Sequence, residues 1–354
     1  MQKNKDEILI WLPSPIGDAV LCTPALRAIR KHFSSSLITF FAKPLIREVL
    51  SPGGFNNIWL EQKSSNPFTI AGLLKECKFS QAILFKNSLG SALAAFLAGI
   101  PTRLGYARDG RGFLLTEKLY PPKTANGRLK PISMIDYYSA IASWLGANVR
   151  NRKLELEIVS EDKENLQSKL PEIIKSKGPI VVMVPGGAFG PSKCWLSERF
   201  AQTADWLSSS YKATVVVSVS PEPAEVRTAE QICRQSKCKL VNLAQRPLSI
   251  GELKALFSMA DLVISNDTGP RHLTIAFERK LITLFGPNDP KWTDTGYDNE
   301  IQIVGNAPCA PCAKPVCKES KHLCMDSITV DNVCEAAKKL LGKNKKAKRK
   351  SGSS

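Results

Sequence analysis

Ile180-Val181-Val182-Met183-Val184 is an unbroken apolar run that ends in Pro185-Gly186-Gly187. A strand buried on both faces reads this way, because helices cover both sides of a parallel sheet and leave no polar alternation. Ser197 follows as an expected N-cap, after which Phe200, Ala204, Leu207 and Tyr211 recur at helical spacing and form one apolar face. Residues 214–219 are mostly β-branched and read as a strand, and residues 224–234 as a polar helix. Ser249 and Glu252 make a capping box that opens a helix through Leu253, Leu256 and Phe257. A strand at 262–264, a polar loop, a helix near 273–277 and a strand at 281–285 complete the pattern. Strand and helix alternate throughout, which predicts a doubly wound α/β domain with a mainly parallel sheet.

The first half has the same grammar. Residues 8–12 read as a strand, residues 13–18 as a loop, and Leu26, Ile29 and Phe33 mark one face of the next helix. Residues 37–41 and 82–85 look like further strands. A charged stretch at 150–177 has little apolar content, so a boundary is expected there. The predicted organisation is a domain over 1–160, a second over 161–335 containing a cysteine-rich segment at 309–324, and a basic tail at 336–354. The two α/β domains are expected to face each other across a cleft.

Hydrophobic residues make up 43% of the 354 and charged residues 23%, the balance of a globular protein with a full core. No stretch approaches the roughly 18 apolar residues of a membrane helix, and residues 8–12 are too short for a signal peptide's apolar region. A cytoplasmic protein is the expectation. The formal net charge is +17, and eight basic residues lie between Lys338 and Lys350 with no acid among them; removing them leaves +9. Such a tail suits an anionic membrane face, nucleic acid, or a solvated end. The remaining excess predicts acidic ligands.

In a doubly wound sheet, ligands bind at loops leaving the carboxyl ends of strands. Pro13-Ser14-Pro15-Ile16-Gly17-Asp18 is one such loop, with Asp18 readable as a helix cap or as a general base. A second, from Pro185 to Trp195, carries Gly186, Gly187 and Gly190 near a helix start, plus Lys193, and can present N–H groups and a cation to an anion. It has neither Walker A nor Gly-x-Gly-x-x-Gly spacing. The third, Ser265-Asn266-Asp267-Thr268-Gly269-Pro270-Arg271-His272, offers N–H groups and hydroxyls to a phosphate or ribose, and His272 reads equally as a structural or a ligand-binding residue. Residues 285–290 form a fourth turn-rich loop on the same edge.

These loops, with Asn87-Ser88-Leu89-Gly90-Ser91-Ala92 and Ala98-Gly99-Ile100-Pro101-Thr102-Arg103 between them, resemble the lipopolysaccharide heptosyltransferases, glycosyltransferase family 9, and especially their heptosyltransferase II branch. The resemblance spans about residues 8–333. It implies two Rossmann-like domains of GT-B type and inverting, metal-independent transfer of heptose from ADP-heptose to the lipid A–core acceptor at the inner-membrane surface. On that carry-over Asp18 becomes the general base, and Lys193 a catalytic residue and the pyrophosphate partner. Asp267, Thr268, Gly269 and His272 line the donor pocket beside Gly186 and Gly187, and Glu225 stands near the nucleoside. Arg103, Arg108, Arg111 and Arg128, with Lys130, suit a phosphorylated acceptor. The chain departs from the family at Lys193-Cys194-Trp195 and at Val219-Ser220-Pro221. Competing expectations are a GT-B transferase or epimerase using a UDP- or GDP-sugar, and a nucleic-acid-binding protein using the tail.

Cys309-x2-Cys312-x4-Cys317-x6-Cys324 is a compact set of soft ligands, with His322 two residues before the last. It reads as a structural zinc or iron–sulfur site, as reduced thiols, or as disulfides. No cofactor is expected in the reaction itself. Cys22, Cys77, Cys194, Cys233 and Cys238 are scattered and read as reduced side chains.

Overall fold

The structure is a computed structural model that describes residues 7–319 and 321–342. The chain divides between Glu157 and Ile158 into two compact units, and Lys291–Thr295 belongs with the first.

The first unit holds strands β1 (Glu7–Trp11), β2 (Leu37–Ala42), β3 (Ile58–Glu61), β4 (Gln81–Leu84), β5 (Thr102–Tyr106) and β6 (Glu117–Leu119). They form one parallel sheet in the order β3-β2-β1-β4-β5-β6. The order reverses between β1 and β4, so the loops leaving these two strands part to opposite faces and open a crevice. Leu9, Trp11, Phe41, Leu84 and Ala92 lie in the core between this sheet and its helices. The single helix expected after β1 is two, Ile16–Leu21 and Thr23–His32. Pro24 explains the break: it lacks an N–H and is tolerated only in a helix's first turn.

The second unit repeats the arrangement with β7 (Ile180–Val184), β8 (Thr214–Val217), β9 (Val241–Asn242), β10 (Leu262–Asn266), β11 (Leu281–Phe285) and β12 (Glu300–Val304). Its order is β12-β11-β10-β7-β8-β9, again parallel, with the reversal between β7 and β10. β7, β10 and β11 are buried along their whole length, the polar Ser265, Asn266 and Thr283 included. The helix Ser197–Tyr211 buries Phe200, Ala204 and Leu207. Its N-cap is Leu196 rather than Ser197, which is already inside the first turn and makes no capping bond. The predicted capping box is present: Ser249 Oγ accepts from Glu252 N and the Glu252 carboxylate accepts from Ser249 N.

No helix among the described residues is long and apolar enough to cross a membrane. Of the basic tail, Lys338 and Lys339 lie in the last helix, Val330–Leu341; Lys343 and the residues beyond it lie outside the described residues.

Candidate functional site

The crevice of the first unit is a cavity of about 300 Å³. Pro13, Ser14, Pro15 and Asp18 line it after β1, Phe85, Lys86 and Asn87 after β4, Arg108 and Asp109 after β5, and Met134 and Tyr138 on the helix Met134–Trp144. Asp18 sits in the first turn of Ile16–Leu21, whose N-cap position is taken by Pro15 without any side-chain bond. The carboxylate therefore does not serve as that helix's cap. Its Oδ1 accepts a hydrogen bond from the Tyr138 hydroxyl at 3.1 Å. Burial raises its pKa above the usual carboxylate value, and the Tyr138 bond opposes part of that rise. A partly buried carboxylate with a raised proton affinity is a stronger base than one in water.

Two cations share this cavity. Lys86 donates to Gln62 Oε1 at 3.2 Å and stands over the Trp11 ring; burial, then the charge of Lys43, lowers its pKa. Arg108 pairs with Asp109 at 3.1 Å. The other expected acceptor-binding arginines are placed differently. Arg111 is fully buried and donates to Tyr106 O, Lys86 O, Ser88 O, Ser91 Oγ and Asn87 Oδ1, so its fork is consumed in holding the loop after β4. Arg103 donates to Leu114 O, Ile100 O and Pro101 O and covers the Phe96 ring. Arg128 is exposed on the turn closed by the Lys123–Leu129 bridge and does not line the cavity; Lys130 is exposed beside it.

In the second unit the equivalent reversal brings together the loops after β7 and β10. Lys193 Nζ donates to Asp267 Oδ2 at 2.6 Å and to Asp267 O at 2.8 Å, and lies over the Phe189 ring. Asp267 is buried, yet Lys193 first and then Arg271 outweigh that burial and hold its pKa below the usual value. Arg271, fully buried, forms a two-pronged ion pair with Glu300 at 2.6 and 2.9 Å. Glu225 accepts from Gly187 N at 3.1 Å and Ser220 N at 2.8 Å, joining the loops after β7 and β8. A Cβ on Gly186 would sit 2.3 Å from the Glu225 carboxyl carbon, so a larger residue there would displace the Glu225 carboxylate from its bonds to Gly187 N and Ser220 N. Thr268 is the N-cap of the helix Gly269–Ala276 and packs its methyl toward Gly187. His272 is buried, and burial, reinforced by Arg271, lowers its pKa to about 3; it is a neutral imidazole. Its Nδ1, Asn266 Oδ1 and Asn288 Oδ1 are buried without hydrogen-bond partners.

The cysteine-rich segment braces these loops. Ser192 N donates to Pro315 O at 3.1 Å, Ser192 Oγ to Lys314 O at 2.6 Å, and Ala313 N to Pro287 O at 2.8 Å. Gly190, at φ +147, leaves no space for a Cβ against Pro315 O. All ten cysteines are free thiols. Burial raises the pKa of Cys324, and Cys309, Cys317 and Cys312 push it in the same direction. No three His, Cys, Asp or Glu side chains among the described residues gather in a geometry that could hold a metal ion.

Residues 68–323 match the sequence profile of glycosyltransferase family 9 (heptosyltransferase). The chain belongs to that family. Lipooligosaccharide heptosyltransferase 2 of Campylobacter jejuni is 25% identical over 336 residues, which cover 94% of this chain and 99% of that protein. A glycosyltransferase family 9 structure from Veillonella parvula superposes with a TM-score of 0.80 at 20% identity, covering 96% of this chain and 98% of that one. The structure of Escherichia coli ADP-heptose LPS heptosyltransferase II gives 0.77 at 22%, covering 95% and 98%. These two likenesses are of fold, and the fold is GT-B with two Rossmann-like units. As a family 9 glycosyltransferase the chain is an enzyme, which removes the nucleic-acid-binding reading of its tail as the primary function.

Two residues of this transferase escaped the sequence. Lys86 stands just past the end of β4, where the strand-end rule that singled out Asp18 would also have found it. Tyr138 offered no signal: Tyr137-Tyr138 in an apolar helix reads as core.

Proposed function

We propose that this family 9 enzyme moves heptose from ADP-heptose to the inner core of lipopolysaccharide, in the manner of a heptosyltransferase II, with inversion at the anomeric carbon and without a catalytic metal. The observation that carries the reading is Asp18: a carboxylate of raised proton affinity at the sheet reversal, bonded to a tyrosine hydroxyl instead of to a cation. In the proposed reaction it takes the proton from the acceptor hydroxyl as that oxygen attacks the anomeric carbon. Lys86 and Arg108, in the same cavity, suit an acceptor carrying phosphate.

The diphosphate leaving group gains negative charge as the glycosidic bond breaks, and fixed positive charge there lowers the barrier. Lys193 spends two of its three N–H donors on Asp267, which leaves one for the diphosphate. N–H groups at Gly186 and Gly269 add dipoles that need no reorganisation, while the Gly187 N–H is held by Glu225. The buried acceptors Asn266 Oδ1 and Asn288 Oδ1 lack donors, which the hydroxyls of a sugar supply. Glu225, bridging the β7 and β8 loops, is assigned to the nucleoside side of the donor. The cysteine segment acts as a brace for the donor loops; any metal held by Cys309, Cys312, Cys317 and Cys324 would be structural. The enzyme is taken to work at the cytoplasmic face of the inner membrane, drawn there by its basic tail.

Titration with ADP, UDP and GDP tests the donor assignment: ADP should bind at least about tenfold more tightly than either other nucleotide. Equal binding of all three removes ADP-heptose as the donor. The anomeric configuration of the product, read by NMR, tests inversion.

A further inference from the structure

We propose that Tyr138 is the positioning residue for the general base: its hydroxyl holds one oxygen of Asp18 and leaves the other for the acceptor. This rests on the reading of Asp18 given above and extends it to a residue on a distant part of the chain. Tyr138 is almost fully buried on the helix Met134–Trp144, its ring stacked on Phe85 at 5.5 Å and met edge-on by Tyr137 at 5.6 Å. A ring fixed on two sides presents its hydroxyl in one direction, and that hydroxyl is 3.1 Å from Asp18 Oδ1. Asp18 Oδ2 has no intramolecular partner among the described residues.

The chemistry suits the task. Burial, first, and the Asp18 charge raise the pKa of Tyr138 well above that of an ordinary phenol, so it remains an O–H donor at every working pH. A lysine or arginine in its place would hold Asp18 ionised but strip it of basicity, as Lys193 does to Asp267. A neutral donor orients the carboxylate while taking back only part of the basicity that burial confers. Other charged or titratable groups on the elements around Asp18 are Lys86, Arg108 and Asp109 on the cavity wall, Glu48 on the helix Pro44–Leu50, Asp136 on the Tyr138 helix, and Cys22. Beyond burial, Tyr138 alone shifts the Asp18 proton.

The test is Tyr138→Phe, which keeps the stacked ring and removes only the oxygen. Turnover should fall about tenfold, with the KM for acceptor and the affinity for ADP unchanged. The acid limb of the pH–rate profile should move to higher pH, because losing the hydroxyl removes the one influence that lowers the Asp18 pKa. Wild-type turnover with an unmoved acid limb overturns the proposal, and so does a loss of turnover that leaves the limb in place, which is the mark of a merely structural tyrosine. Asp18→Asn in the same assay separates the two claims. If that variant keeps its turnover, Asp18 is not the base; if it loses turnover while Tyr138→Phe behaves as wild type, only the positioning role falls.

Discussion

The two units share one strand order and place an aspartate at the same kind of reversal, yet the two aspartates are in opposite states. Asp18, after β1, meets a buried phenol and has its pKa raised by burial. Asp267, after β10, meets Lys193 and Arg271 and has its pKa lowered despite deeper burial. Topology decides where a carboxylate stands, and its partner decides what it can do. A hydroxyl partner leaves a proton acceptor, while a cationic partner makes a fixed ion pair that can organise an anion site. The proposed division of labour between base and donor site rests on this difference in partners.

Substitutions sharpen or break this contrast. Asp18→Asn should lower turnover by about a hundredfold or more and leave ADP affinity nearly unchanged, the size expected for a lost general base. Near-normal turnover would erase the functional difference between the two aspartates. Lys193→Ala should weaken ADP binding and slow transfer together, about tenfold or more each, if the lysine meets the diphosphate in both ground and transition states as proposed. It also leaves Asp267 short of its main partner, at a cost of about 3 kcal/mol in stability. Adding Asp267→Asn should recover much of that stability without restoring ADP affinity, and unfolding and titration on the same preparations check both.

Acid should stress the second unit and relieve the first. The pKa of His272 is depressed from 6.5 to about 3, so the fold disfavours its protonation. Its contribution is whole above pH 6.5 and is lost as pH falls toward 3, about 2 kcal/mol of it between pH 7 and pH 5. Asp267, also depressed, adds a loss only below the ordinary carboxylate range, and Asp18, raised, acts with the opposite sign because the fold favours its protonated form. Urea midpoints at the two pH values should differ in the wild type and converge in His272→Gln. A slope unchanged by the substitution would detach His272 from the acid response.

Gly190→Ala should cost about 1–3 kcal/mol, since its φ of +147 suits only glycine and a Cβ would meet Pro315 O at 2.4 Å. ADP affinity should fall with it if the cysteine segment braces the donor loop. Truncation after Leu341 should have the smallest effect: less sedimentation with anionic vesicles, sensitive to salt, and no change in turnover on a detergent-soluble acceptor. Equal vesicle binding at low salt would make the tail irrelevant to the membrane.

The fold was legible because the buried parallel strand β7 is apolar throughout and β10 and β11 are mostly so, and the capping box at Ser249 carries its own spacing. Asp18, Lys193 and Asp267 could be singled out as candidates because strand ends in such sheets are where ligands go. The placement of Arg103 and Arg111 was not legible, although Arg108 does line the cavity. A count of basic residues cannot register that backbone carbonyls, Lys86 O and Leu114 O among them, claim the forks of Arg111 and Arg103. His272 left its two readings open, since burial and not spacing decides between them. The brace on the second unit was invisible for a related reason: it runs through the carbonyls of Lys314, Pro315 and Pro287, which no side-chain motif marks.

The most direct test of the account is mass spectrometry of the products formed from ADP-heptose and a lipid A–core acceptor ending in one inner-core heptose. The wild-type enzyme should add the mass of a single heptose residue and release ADP, and Asp18→Asn should add none while still binding ADP-heptose. Absence of the heptose adduct from the wild-type reaction, or an adduct formed at equal rate by Asp18→Asn, would contradict it.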